Sequence, residues 1–137
     1  MSASNVKQVS AMEAWSMLAE NDAVLVDCRS IAEWAFVGIP DLSGYGKDVV
    51  TIEWTRMNGL PNKAFLHQLE DQVDKDKALF LICRSGARSN AAAAVAVEAG
   101  YTRIFNITDG FEGDLNPAGQ RKSISGWCFA GLPWSQD

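Results

Sequence analysis

Runs of apolar residues of strand length recur along the chain and alternate with segments of helical periodicity. The runs AVLVDC at residues 23–28 and ALFLIC at 78–83 predict strands that are covered on both faces. The β-branched run VVTIEW at 49–54 and the run RIFNI at 103–107 predict two further strands, and Lys7–Val9 predicts a short one. Because helical segments separate these strands, the pattern predicts an α/β domain built on a parallel sheet.

The segments between the strands have the signals of helices. Ser10 and Glu13 have the spacing of a capping box, which predicts a short amphipathic helix after Ser10. In the alanine-rich segment 89–100, Ser89 is the expected N-cap and Gly100 the expected stop. A further helix is predicted at 61–73, and a helical turn followed by a loop at 31–48.

The periodic pattern ends after Ile107, and the residues beyond it are rich in Gly, Pro and Trp. We expect one domain over residues 1–137, with a core at about residues 5–115 and a tail at 116–137 that packs on it. The expected anchors of this C-terminal part are aromatic, namely Phe111, Trp127, Phe129 and Trp134.

Composition narrows the classes of function. The net charge of -5 argues against nucleic acid or an anionic membrane as a partner, since both require a basic surface. No segment has the length and apolarity of a membrane span or the apolar centre of a signal peptide, so we expect a cytoplasmic protein. The three cysteines have no C-x-x-C spacing, which argues against a zinc site or a disulfide framework.

The segment ICRSGARS at residues 82–89 carries the strongest chemical signal. Cys83 ends a predicted strand, and ligands of parallel α/β sheets bind at the carboxyl ends of strands. The backbone N–H groups of the loop after Cys83, the start of the next helix, and the charges of Arg84 and Arg88 would all stabilise a thiolate. Gly86 suits a close backbone approach or a positive φ. The alternative interpretation is a buried cysteine at a strand end, with a packing role alone.

The length of this loop separates two classes of enzyme. A C-x5-R-S loop would enclose a tetrahedral phosphate, whereas Cys83 and Arg88 form the shorter C-x4-R-S, which suits a single sulfur atom. With this loop, the segments VDCR (26–29), Glu33, VGIPDL (37–42) and IFNITDG (104–110) make the chain similar to the single-domain rhodaneses, which are sulfurtransferases. The resemblance implies a mostly parallel five-stranded sheet flanked by helices on both faces, and a persulfide on Cys83.

The resemblance also implies roles for other residues. Asp27, Arg29 and Glu33 would form a supporting polar cluster beneath the loop, although Arg29 and Glu33 could equally form a surface ion pair. The substrate-binding residues would be Arg84, Ser85, Gly86, Ala87, Arg88 and Ser89. No cofactor and no metal is implied. The expected partners are a small anionic sulfur donor such as thiosulfate and a thiol or cyanide acceptor, with a sulfur-relay protein as a further candidate.

Two other functions fit the same loop. One is a small cysteine-dependent phosphatase or arsenate reductase, for which Asp109 is the candidate acid, and the other is a non-catalytic rhodanese-like binding module. Cys28 and Cys128 are expected to pack in the core, with a resolving thiol as the alternative for Cys128. His67, the only histidine, is expected at a solvated helix position.

Overall fold

The computed structural model describes residues 6–56 and 58–136. The strands are β1 (Val6–Val9), β2 (Ala23–Asp27), β3 (Ile39–Pro40), β4 (Val50–Thr51), β5 (Ala78–Ile82), β6 (Arg103–Ile107) and β7 (Trp134–Ser135). The helices are α1 (Ala11–Met17), α2 (Ile31–Phe36), α3 (Phe65–Gln72) and α4 (Ala87–Glu98), with a 3₁₀ turn at Ser43–Tyr45.

Five strands form one sheet in the order β1-β6-β5-β2-β4, and every neighbouring pair is parallel. The predicted five-stranded α/β fold is therefore confirmed. In this order β5, which ends just before Cys83, lies between β6 and β2 at the centre of the sheet. The pair β3 and β7 forms a separate two-stranded antiparallel ribbon, which the apolar pattern did not predict.

A hydrophobic core lies on each face of the sheet because residues of the central strands point alternately to opposite sides. Leu79, Leu81 and Cys83 belong to one core, which includes apolar residues of α3 and α4. Phe80 and Ile82 belong to the other, which includes residues of α1 and of the C-terminal part. The first of these is called the α4-side core below, and the second the α1-side core.

The C-terminal part packs on the domain with only some of its expected anchors. Phe111 and Trp127 are fully buried, and the indole N–H of Trp127 donates to the carbonyl of Pro133 at 2.7 Å. Trp134 is 40% exposed and meets the ring of Phe111 edge-on. Phe129 is 54% exposed, so its prediction as an anchor is wrong.

Two boundaries differ from the predicted ones for local reasons. β4 covers Val50–Thr51 instead of 49–54, because beyond it the chain departs from a regular ladder and Trp54 bonds to both Cys28 and Asn62. α3 begins at Phe65, after a turn in which the side chain of Asn62 accepts from the N–H of Ala64. Among the described residues, none of the α-helices combines the length and the apolar character that a membrane span requires.

Candidate active site

Cys83 is the first residue after β5, at the carboxyl edge of the sheet, and is 1% exposed. Its Sγ accepts the backbone N–H of Gly86 at 3.2 Å and that of Ser89 at 3.3 Å. Ser89 is the third residue of α4, so the sulfur occupies the position of an N-cap acceptor at the positive end of a twelve-residue helix. The loop thus directs main-chain donors at one sulfur atom.

The turn between Cys83 and α4 depends on Gly86. Gly86 has φ +105°, and a Cβ at this position would lie 2.3 Å from the carbonyl oxygen of Thr108. It is also the N-cap of α4, which begins at Ala87. The prediction of Ser89 as the N-cap is therefore wrong, because the side chain of Ser89 lies in the first helical turn and makes tertiary contacts.

Ser89 connects the sulfur to a buried polar network. Its Oγ lies 3.2 Å from Sγ of Cys83 and 3.2 Å from the carbonyl oxygen of Gly86, and it also bonds to Oδ1 of Asn106. The amide of Asn106 donates in turn to Gln8 at 2.8 Å and to the carbonyl of Gly86 at 3.3 Å. Sequence reasoning missed Asn106 and Gln8, although one Asn inside the apolar run RIFNI was a usable signal.

Arg88 does not face the sulfur with an unpaired charge. Its guanidinium donates to both carboxylate oxygens of Glu33, at 2.7 and 2.8 Å. Burial alone would raise the pKa of Glu33, but hydrogen bonds from Arg88 and Ser30 and the charge of Arg88 outweigh it and lower that pKa to about 2. The same bonds raise the pKa of Arg88. This pair joins the first turn of α4 to the first turn of α2.

The three predicted supporting residues do not form one cluster. Asp27 and Arg29 form a fully buried ion pair, with Nη2 of Arg29 at 2.6 Å from Oδ2 of Asp27. Arg29 also donates to the carbonyl of Gly38 at 2.6 Å and lies over the ring of Phe111, 4.2 Å from its centroid. Glu33 pairs with Arg88 instead, so the alternative of an Arg29–Glu33 surface ion pair is wrong.

The segment after β6 supports the active loop by main-chain contacts. The N–H of Phe111 donates to the carbonyl of Cys83 at 2.8 Å, and those of Glu112 and Gly113 donate to the carbonyl of Arg84 at 3.0 and 3.1 Å. A Cβ on Gly110 would lie 2.4 Å from that same carbonyl oxygen of Arg84. The close approach of these two backbones therefore requires a glycine.

The remaining loop residues differ in exposure to solvent, and the candidate acid, Asp109, is bonded to backbone N–H groups. The side chain of Arg84 is exposed, that of Ala87 is exposed, and Ser85 is half-buried. The carboxylate of Asp109 accepts the N–H of Ala11 at 2.8 Å and that of Gly126 at 3.3 Å. Asp109 thus links α1 to the C-terminal part and is occupied by backbone donors.

The other two cysteines and the histidine occupy three different environments. Cys28 is fully buried in the α4-side core, and Cys128 is half-buried against the α1-side core. Burial raises the pKa of Cys128 to about 11. His67 is 79% exposed and lies 3.4 Å from Asp71, as expected for a solvated position. The described residues contain no group of three His, Cys, Asp or Glu side chains suited to a metal ion.

This arrangement can stabilise negative charge on one buried sulfur atom and present that atom at the edge of a parallel sheet. The donors are main-chain amides held by α4 and by the segment at 110–113, so they need no side-chain movement to act. Exposed Arg84 supplies a positive charge at the start of the loop. Such a site suits nucleophilic chemistry by a thiolate.

Comparisons with known proteins show the family to which the chain belongs. A family model described as the STR4 middle domain matches residues 6–137. The uncharacterized protein RC0915 of Rickettsia conorii is 38% identical over 131 residues, which are 95% of this chain and 98% of that protein. The thiosulfate sulfurtransferase GlpE of Haemophilus influenzae is 28% identical over 127 residues, or 93% and 92% of the two chains.

Similarity to solved structures extends along nearly the whole chain. The crystal structure of Rv0390 from M. tuberculosis has 47% sequence identity and a TM-score of 0.89, and the match covers 96% of this chain and 98% of that one. The agreement includes the five-stranded parallel sheet that carries Cys83. This chain belongs to the STR4 middle domain family and to the rhodanese-like proteins.

Proposed function

We propose that this protein is a sulfurtransferase that carries sulfane sulfur as a persulfide on Cys83. The observation that carries the proposal is the pair of main-chain donors at Sγ, from Gly86 at 3.2 Å and Ser89 at 3.3 Å, at the N-terminus of α4. Such donors stabilise a thiolate nucleophile, and the same loop would bind the outer sulfur of a persulfide.

The proposed reaction has two displacements. The Cys83 thiolate attacks the outer sulfur of a donor such as thiosulfate, the sulfur–sulfur bond of the donor breaks, and sulfite leaves with the electron pair. A thiol or cyanide acceptor then attacks the outer sulfur of the persulfide, and Cys83 leaves as the thiolate. Sulfur is transferred with no net redox change of the protein, so the steps require no cofactor.

The donor would be attracted mainly by Arg84 and the loop amides. Arg88 is paired with Glu33, so its net contribution to the potential at the sulfur is reduced, and its role is to hold the start of α4 in place. A donor with a small anionic group fits this arrangement because the loop is short and its donors converge on Cys83. The name of the Haemophilus relative, a thiosulfate sulfurtransferase, supports the same class of donor.

No observation favours the phosphatase alternative. Its candidate acid, Asp109, accepts from two backbone N–H groups, and the C-x4-R loop is one residue shorter than a phosphate-binding one. A binding module without chemistry would have no need for a cysteine with two main-chain donors at its sulfur.

The test is the intact mass of the protein after treatment with thiosulfate, together with thiocyanate formation when cyanide follows. We expect a gain of one sulfur atom that cyanide or a reductant removes, and loss of both signals in Cys83→Ser. Cys128→Ser is the matched control and should retain both. Turnover of para-nitrophenyl phosphate without thiocyanate formation would refute the proposal and support the phosphatase.

A further inference from the structure

Cys28 and Cys83 are neighbours on adjacent strands. β2 and β5 are parallel, with Asp27 opposite Ile82, and the two cysteines are the next residues of these strands. The N–H of Cys28 donates to the carbonyl of Ile82 at 2.9 Å, so the strands are still bonded at this level. The cysteines therefore face each other across one strand spacing.

Both side chains point to the same face of the sheet. Cys28 and Cys83 belong to the α4-side core, as do Val26 and Leu81, which precede them by two residues. The Cys28 thiol donates to the carbonyl of Ile82 at 3.3 Å, so its sulfur lies over the strand that leads to Cys83. The two thiols thus lie in one buried site at the base of the active loop.

The separation of the strands suits a disulfide. Neighbouring strands lie about 4.8 Å apart, and Cα atoms joined by a disulfide are about 4.4–6.8 Å apart. Burial raises the pKa of the Cys28 thiol, and the proximity of Cys83 raises it further. The Cys28 thiol is therefore protonated at neutral pH.

We propose that Cys28 and Cys83 form a site of reversible oxidation, in which a hydroperoxide oxidises Cys83 and Cys28 then closes an intramolecular disulfide. This inference depends on a reactive thiolate at Cys83 and does not depend on sulfur transfer. Its consequence is a resting state that carries no sulfur and resists further oxidation.

The chemistry balances with the hydroperoxide as the only oxidant. The Cys83 thiolate attacks a peroxide oxygen, the O–O bond breaks, and a sulfenic acid forms with release of hydroxide, or of an alkoxide that water protonates when the oxidant is an organic hydroperoxide. The Cys28 sulfur attacks the Cys83 sulfur, the S–O bond breaks, and the leaving hydroxide takes the Cys28 proton as water. Two thiols are oxidised and one peroxide is reduced. Without Cys28 a second peroxide would carry Cys83 to sulfinic acid, which is irreversible for most proteins.

Cys128 is the competing partner, and the structure argues against it. It packs against the α1-side core, on the other face of the sheet from Sγ of Cys83. Its backbone is nevertheless near, because its N–H donates to the carbonyl of Phe111, whose N–H donates to the carbonyl of Cys83. A test must therefore distinguish Cys28 from Cys128.

The test is oxidation of the purified, fully reduced chain by excess hydrogen peroxide, followed by trypsin digestion without reduction and by mass spectrometry. Cleavage after Lys and Arg places the cysteines in three different peptides, Gln8–Arg29, Ala78–Arg84 and Ser123–Asp137. We expect a disulfide between the first two of these peptides, and full recovery of the free Cys83 thiol after dithiothreitol. In Cys28→Ser and Cys28→Ala, Cys83 should gain two or three oxygen atoms and should not recover. Cys128→Ser, the matched control, should behave as the wild type.

Three results would overturn the inference. They are a link from Ala78–Arg84 to Ser123–Asp137, irreversible oxidation of Cys83 at the same rate with and without Cys28, and a Cys83 that excess peroxide leaves unmodified. The wild-type peptide map decides the first and third of these even if the Cys28 variants fold poorly. None of these readouts requires sulfur transfer, so the failure of this inference and the failure of the proposed function are distinguishable.

Discussion

Glu33→Gln tests whether the pair that joins α2 to α4 holds the active loop. The carboxylate of Glu33 accepts from Arg88 at 2.7 and 2.8 Å and from the N–H and hydroxyl of Ser30, both at 3.1 Å. Its side chain is only 19% exposed, so solvent screens these contacts weakly. Gln keeps the shape of the Glu33 side chain and one acceptor oxygen, but it removes the negative charge that pairs with the half-buried Arg88.

The magnitude follows from the pKa of Glu33. A shift from 4.5 to about 2 corresponds to on the order of 3 kcal/mol of folding free energy at neutral pH, since each pKa unit is worth about 1.4 kcal/mol. Because the pKa is lower in the folded state, this stability is fully present above about pH 4.5 and is lost as the pH falls toward 2. The variant lacks this titration, so wild type and Glu33→Gln should differ most at pH 7 and converge in acid.

Urea unfolding followed by tryptophan fluorescence measures this difference, since the chain contains five tryptophans. We would record it at several pH values between neutral and strongly acidic. Glu98→Gln, at the exposed end of α4, is the control and should change the free energy of unfolding by less than about 0.5 kcal/mol at every pH. A difference between wild type and Glu33→Gln that stays constant with pH, or that is absent at pH 7, would refute the reasoning.

Two further predictions concern the loop itself. Gly86→Ala should abolish thiocyanate formation and destabilise the fold by about 1–3 kcal/mol, because φ is +105° and the new Cβ meets the Thr108 carbonyl. Thermal unfolding and thiocyanate formation measure the two effects. Gly44→Ala is the control and should be neutral in both assays, since its Cβ meets nothing within 4 Å. A glycine inserted between Arg84 and Ser85 converts C-x4-R to C-x5-R and lengthens the chain between Cys83 and α4 at small entropic cost. It should lower the rate of sulfur transfer, because the N–H groups of Gly86 and Ser89 would no longer converge on Cys83. The control is a glycine inserted after the exposed Gly119, and an unchanged rate in the folded loop variant would contradict the role of loop length.

Local signals in the sequence were sufficient for most elements of the fold. The capping box of α1 depends on Ser10 and Glu13 alone, and both of its hydrogen bonds are present, at 3.1 and 2.8 Å. The central strands are continuous apolar runs, so their position in a parallel sheet follows from the need to cover both faces. The position of Cys83 at the carboxyl edge follows in turn from the end of such a run.

Long-range pairings were not predictable in the same way. Glu33 and Arg88 are 55 residues apart, and nothing in the spacing of either residue indicates the other. The same holds for β3 and β7, where Pro40 lies opposite Trp134. The start of α4 was misplaced because Ser89 has the residue type of an N-cap, while its hydroxyl bonds instead to Asn106, on a strand that comes later in the chain.

These pairings change the roles of the two arginines in the loop. From sequence, Arg84 and Arg88 are equivalent cations near a sulfur, but in the fold Arg88 is neutralised by Glu33 and Arg84 is exposed. In a chain of net charge -5, an anionic donor gains no attraction from the protein as a whole. Charge stabilisation at Cys83 must therefore come from the main-chain amides of Gly86 and Ser89 and from the end of α4, whose positions Arg88 secures. Arg88, one of the two candidate substrate ligands in the sequence, is thus a positioning residue. The donors at Sγ of Cys83 are backbone groups, which no residue type reveals.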